Sequence, residues 1–147
     1  MMELRDLYQE VILDQSKRPR NQRKPEGFTL TAEGYNPLCG DRITVYVRVE
    51  GDIVEDLAFE GSGCAISTAS ASMMTQALRG KTLDEVKKLF DKFHELLTGD
   101  GEPDAGLGKL TVFSGVREFP VRVKCATLSW HTLNAALAST AATVTTE

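Results

Sequence analysis

The sequence predicts an α+β domain: a small antiparallel sheet of about three strands with helices packed on one face. Two observations predict it. Strand-type alternation is confined to one block with helical patterns following it, rather than interleaved and without a repeat period. The chain also has 147 residues, 41% hydrophobic and 26% charged, which suits one domain with one core. Residues 1–147 form that single domain in this reading.

The elements follow in order. Leu4, Leu7, Tyr8, Val11 and Ile12 recur at helical spacing, with Glu3 and Asp6 in the first turn, so a helix spans about residues 3 to 15 and stops before Pro19. Residues 16–27 carry five basic side chains before their first acid, plus Pro19 and Pro25, and read as an extended solvated connector; its 17–24 stretch could alternatively dock an acidic partner. Ile43, Val45, Val47 and Val49 alternate with Thr44, Tyr46 and Arg48. Glu50-Gly51-Asp52 turns the chain, and Ile53, Leu57 and Phe59 share one face of a return strand. A lone hairpin is marginal, so Phe28-Thr29-Leu30-Thr31 is expected to add a third strand.

After Gly61-Ser62-Gly63, a helix carries Ile66, Ser70, Met73 and Ala77 on one stripe and stops at Gly80. Thr82 and Glu85 form a capping box ahead of the stripe Val86, Leu89, Phe90, Phe93 and Leu97. Residues 99–104 are turn-rich, and the pattern assigns no element to Leu107 through Val116. A last helix begins near Pro120 with Val123, Ala126, Trp130, Leu133 and Leu137, and its Thr/Ala tail is expected to fray.

Composition excludes several functions. With 17 basic residues against 21 acids, the chain lacks the cationic excess of a nucleic-acid binder. No run of eighteen apolar residues would span a membrane, and the first residues lack a signal-peptide layout, so the expected setting is cytoplasmic, with no membrane partner. The nucleotide loops GxGxxG and GK[ST] are absent. A cysteine protease needs a histidine beside its nucleophile; His94 sits in a helix and His131, six residues past Cys125, turns away from it.

Three cysteines make no disulfide framework. Cys39 lies in the turn Asn36-Pro37-Leu38-Cys39-Gly40-Asp41, Cys64 follows Gly61-Ser62-Gly63 where strand becomes helix, and Cys125 opens the last helix. Near a helix N-terminus the unpaired N–H groups favour thiolate, which applies to Cys64 and Cys125. Asp41 can point to the same side as Cys39. Three thiolates and a carboxylate suit a tetrahedral divalent ion such as zinc. The spacing is not that of paired CxxC knuckles, and free cysteine also fills cores, so the residues alone leave both readings open.

Tyr8 through Pro19-Arg20-Asn21, Asn36-Pro37-Leu38-Cys39-Gly40-Asp41, Gly61-Ser62-Gly63-Cys64-Ala65-Ile66-Ser67 and Pro120-Val121-Arg122-Val123-Lys124-Cys125-Ala126-Thr127-Leu128 together resemble the IscU/NifU-like scaffold superfamily of iron–sulfur cluster assembly, most closely its SufU branch. The resemblance covers nearly the whole chain. It implies a metal site made by Cys39, Asp41, Cys64 and Cys125, with Zn2+ as the cofactor. The implied activity is that of a zinc-dependent sulfurtransferase, taking persulfide sulfur on Cys39 from a PLP-dependent, SufS-like cysteine desulfurase and serving downstream Fe–S assembly proteins. A partner histidine could displace Cys39 from the metal. Arg122 matches the family's arginine and lies three residues before Cys125; it is the expected cation beside the site, ahead of Lys124 and Arg42. IscU scaffolds carry His before the third cysteine, where this chain has Lys124, and the segment Asp100 to Gly108 is of the SufU kind. The chaperone-recognition segment of the scaffolds is reduced to Phe119-Pro120-Val121-Arg122. The alternative is a scaffold that assembles a transient two-iron iron–sulfur cluster on the same ligands; a structural zinc adaptor is a third.

Overall fold

The computed structural model describes residues 4–37, 39–99, 105–117, 119–138 and 144–145. Its elements are α1 (Leu4–Lys17), β1 (Leu30–Asn36), β2 (Asp41–Glu50), β3 (Ile53–Ser62), α2 (Ala65–Leu78), α3 (Leu83–Thr98), a 3₁₀ segment (Ala105–Val116), α4 (Pro120–Leu137) and β4 (Val144–Thr145). The sheet order is β3-β2-β1-β4, with β1, β2 and β3 antiparallel and β4 added in parallel to β1. The α+β expectation holds.

The third strand runs later than predicted. Its inward positions are Ala32, Gly34 and Asn36, which alternate in burial but not in hydrophobicity, so the period-2 signal was too weak to read. A Cβ at Gly34 would collide with Thr132 Oγ1 and crowd Leu128, and its absence lets α4 lie close on β1. Ile53 does not share the face of Leu57 and Phe59 and is exposed. Between Arg48 and Val49 the register shifts, Glu55 becomes the extra residue of a bulge, and Val54 takes the inward place.

The basic connector is not merely solvated. It runs beside β3, where Arg23 N–H donates to Phe59 C=O and Phe59 N–H to Asn21 C=O, so it covers an edge that would otherwise offer unpaired backbone groups. Its arginines meet the chain's own acids: Arg23 binds Asp56 at 2.8 Å and Arg20 binds Asp14 at 3.1 Å.

Helices α2 and α4 form the layer next to the sheet, and both are buried around most of their circumference. The single stripes expected for them are therefore replaced by runs such as Ser70 to Thr75 and Cys125 to Trp130. α1 packs on α2, α3 packs beside α4, and the 3₁₀ segment touches both α1 and α3. That segment bends at Gly108, whose φ of +55° suits glycine, which explains why no period was legible there. Phe93 stacks on Trp130 at 4.3 Å and meets Phe113 edge-on. The capping box forms as predicted, with Thr82 and Glu85 exchanging two 3.1 Å bonds. Of the tail expected to fray, Val144 and Thr145 pair instead with Gly34 and Tyr35; residues 139–143 and 146–147, like 100–104 of the turn-rich segment, lie outside the described residues.

Candidate metal centre

One end of the α2–α4 layer meets the β1–β2 turn, and three of the four predicted donors, Cys39, Asp41 and Cys125, come together there, with Cys64 outside that cluster. Asn36 and Asp41 are a directly opposed pair closing the β1–β2 ladder. Gly40, at φ +69°, supplies the left-handed step that lets the turn return within four residues. Cys39 rides exposed on that turn, while Asp41 is fully buried and Cys125 is 2% exposed. The ligating atoms of Cys39, Asp41 and Cys125 all lie within 4.8 Å of one another, and the two sulfurs are 3.1 Å apart.

Cys64 joins from the side. It is the N-cap of α2, its sulfur accepting from Ser67 N–H at 3.4 Å, and that sulfur lies 3.8 Å from Asp41 Oδ2. A thiolate at an N-cap faces the unpaired amides of the first helical turn. The hydrogen bond from Cys125, followed by those from the Ser67 and Ile66 amides, lowers the Cys64 thiol to about 7 against the opposing effect of burial. The expectation that Cys125 also sits at a helix start is corrected. It is the sixth residue of α4, past the unpaired first-turn amides, and its hydrogen bond to Cys64, then burial, push its thiol far up.

Two residues that the sequence reading treated only as turn formers complete the site. Asn36, fully buried, donates from Nδ2 to Asp41 Oδ2 at 3.3 Å and to Cys125 Sγ at 3.4 Å. Gly63 leaves room for the carboxylate, since a Cβ there would stand 2.6 Å from Asp41 Oδ1, the oxygen that accepts from Cys64 N–H at 2.8 Å. The only sequence signal for either was its place inside a cysteine motif.

Arg122 is exposed in the first turn of α4, its guanidinium over the Phe119 ring at 4.4 Å. Arg42 lies over Tyr35 at 5.4 Å, and Lys124 is half-buried. Neither histidine is part of the donor set: His94 and His131 face each other beside Phe90. A cleft of about 550 Å³ lies toward the far end of α2, lined by Met73, Leu89, Leu110 and several lysines, and contains none of the cysteines.

The donor chemistry fits a divalent ion. Among the described residues no Lys or Arg forms an ion pair with the buried Asp41, and a buried carboxylate facing sulfur donors is costly without a cation. Three sulfurs and one oxygen are a set that zinc accepts.

The model of the NifU-like N-terminal domain matches residues 7–145. The zinc-dependent sulfurtransferase SufU of Bacillus subtilis is 44% identical over 133 residues, covering 90% of each chain. The iron–sulfur cluster assembly scaffold protein IscU of Streptococcus pyogenes is 42% identical over 138 residues, covering 93% of this chain and 86% of its own. A crystal structure from Fervidobacterium islandicum, described as a cluster assembly scaffold protein for the SUF system, superposes with a TM-score of 0.84 at 38% identity, over 89% of this chain and 96% of that one.

Proposed function

The chain belongs to the NifU-like N-terminal domain family, and on that footing we propose that it is a zinc-dependent sulfurtransferase that accepts persulfide sulfur from a cysteine desulfurase for iron–sulfur cluster assembly. One observation carries the reading: an exposed thiol, Cys39, stands 3.1 Å from the buried sulfur of Cys125 in a cluster completed by Asp41 and flanked by Cys64. Zinc bound by Cys39, Asp41, Cys64 and Cys125 would hold the sulfurs as thiolates and offset the buried negative charge.

Cys39 is the acceptor in this proposal because its turn is accessible, whereas Cys125 is held inside a helix. Its thiolate attacks the outer sulfur of the persulfide on the desulfurase cysteine. The new Cys39 S–S bond forms as the donor S–S bond breaks, and the electron pair leaves on the donor's sulfur as thiolate. Nothing is oxidised overall. Arg122, exposed one turn before Cys125, is proposed to offset negative charge as the persulfide approaches. The partner is a PLP-dependent desulfurase of the SufS type, with Fe–S assembly proteins downstream in the cytoplasm.

Incubation with such a desulfurase and cysteine, followed by trapping and peptide mapping, should place a persulfide on Cys39, and the protein should accelerate desulfurase turnover. Cys39→Ala should lose both effects; normal stimulation by Cys39→Ala refutes the proposal. The name of the Streptococcus pyogenes relative favours a second reading, a transient two-iron cluster on the same four residues. Anaerobic reconstitution that yields no visible chromophore rejects that reading.

A further inference from the structure

The geometry points to Asn36 as a positioning residue that makes Asp41 and Cys125 the fixed half of the centre, leaving Cys39 as the half that can leave; this rests on the metal-centre reading above. A primary amide has two N–H groups, and here its nitrogen reaches an oxygen and a sulfur at once, Asp41 Oδ2 at 3.3 Å and Cys125 Sγ at 3.4 Å. The other carboxylate oxygen is held by Cys64 N–H at 2.8 Å, so both ends of the Asp41 carboxyl are engaged and its rotation is blocked. Cys125 is carried by a helix, and Asn36 itself ends a strand paired on one side by β2. Cys39 shares none of this. Its backbone lies on an exposed turn, and the partner its sulfur has among the described residues is Cys125.

The charges lead to the same residue. Three thiolates and a carboxylate around a dication carry excess negative charge, which neutral N–H donors to the ligands reduce. Groups of this kind also fix ligand orientation, and their loss typically weakens metal affinity by about 10- to 100-fold. Asn36 serves two ligands with one side chain.

The test compares the full chain with Asn36→Leu, which keeps the branched shape and removes the donor. Zinc affinity, measured by competition with a chromophoric chelator, should fall by about 10- to 100-fold. The cobalt(II) form should show shifted sulfur-to-metal charge-transfer and ligand-field bands as Asp41 and Cys125 relax. In zinc-free protein, iodoacetamide labelling mapped by mass spectrometry should reach Cys125 several-fold faster than in the wild type. Wild-type affinity, or weakened affinity with an unchanged cobalt spectrum, overturns the assignment, the latter because general loosening would explain it. If the wild type binds neither zinc nor cobalt, the metal-centre reading fails, and the labelling arm still decides the role of Asn36: unchanged Cys125 protection overturns it. Should circular dichroism show that Asn36→Leu does not fold, Asn36→Ser carries the same measurements, because its short hydroxyl cannot serve both ligands.

Discussion

Gly63→Ala tests whether Asp41 is held where the structure puts it. The added Cβ would stand 2.6 Å from Oδ1, 3.1 Å from Cγ and 3.2 Å from Cβ of Asp41, well inside ordinary contact. Gly63 does not have a left-handed φ, so the cost is steric rather than conformational. The carboxylate is fully buried, and moving it breaks the 2.8 Å bond from Cys64 N–H. Overpacking of this kind costs about 1–3 kcal/mol, and a hydrogen bond to a charged group contributes about 1.5–3 kcal/mol. Partial relaxation overlaps the two, so a destabilisation of about 2–4 kcal/mol is expected. Urea denaturation of metal-free protein measures it, and the same substitution in an Asp41→Ala background supplies the control. There the carboxyl group is gone and only the 3.2 Å contact with the Cβ of residue 41 remains, so Gly63→Ala should cost clearly less, about 1 kcal/mol, giving a large coupling energy. An equal cost in both backgrounds, or none in the wild type, would show that the close approach of Gly63 and Asp41 is not what constrains this corner.

The other predictions concern the scaffold. Thr82→Ala removes one half of the capping box of α3 and should cost about 1 kcal/mol, seen as a lower urea midpoint with faster amide exchange in the first turn of α3. Asp56 has its carboxyl held below the usual range, chiefly by its hydrogen bond from Arg23. A depressed folded-state pKa gives stability that is fully present above the unfolded carboxylate value and is lost as pH falls through the folded one. Urea midpoints should therefore drop on acidification below about pH 4 with a contribution that Asp56→Asn removes; identical slopes in the two proteins would refute it.

The sequence carried most of the element order because most elements announce themselves through side-chain period or capping. Thr82 with Glu85 is local chemistry and could be read directly, and so could the alternation of Ile43 to Val49. β1 was legible only at its first two residues, Leu30 and Thr31, because the surface it buries beyond them is Ala32, Gly34 and Asn36, chosen for closeness to α4 rather than for hydrophobicity. The bulge at Glu55 was equally silent, since one unpaired residue leaves no mark in composition. At the site, Cys39, Asp41 and Cys125, which the fold brings within 4.8 Å of one another, were nameable from their motifs, as was Cys64 beside them. The hydrogen bonds that arrange them were not, because Asn36 and Gly63 are ordinary turn residues until the fold brings Asp41 against both.

The contact between α2 and α4 has a consequence well away from its own atoms. Ser70 donates to Ala126 C=O and accepts from Trp130 Nε1 at 3.1 Å, tying the middle of one helix to the middle of the other. Packing among small residues would otherwise let two such rods slide lengthwise. A slip of a single turn, about 5.4 Å, would change the height of Cys64, at the start of α2, relative to Cys125 on α4 while leaving every donor chemically intact. Ser70 thus sets the height of Cys64 relative to the Cys39, Asp41 and Cys125 cluster.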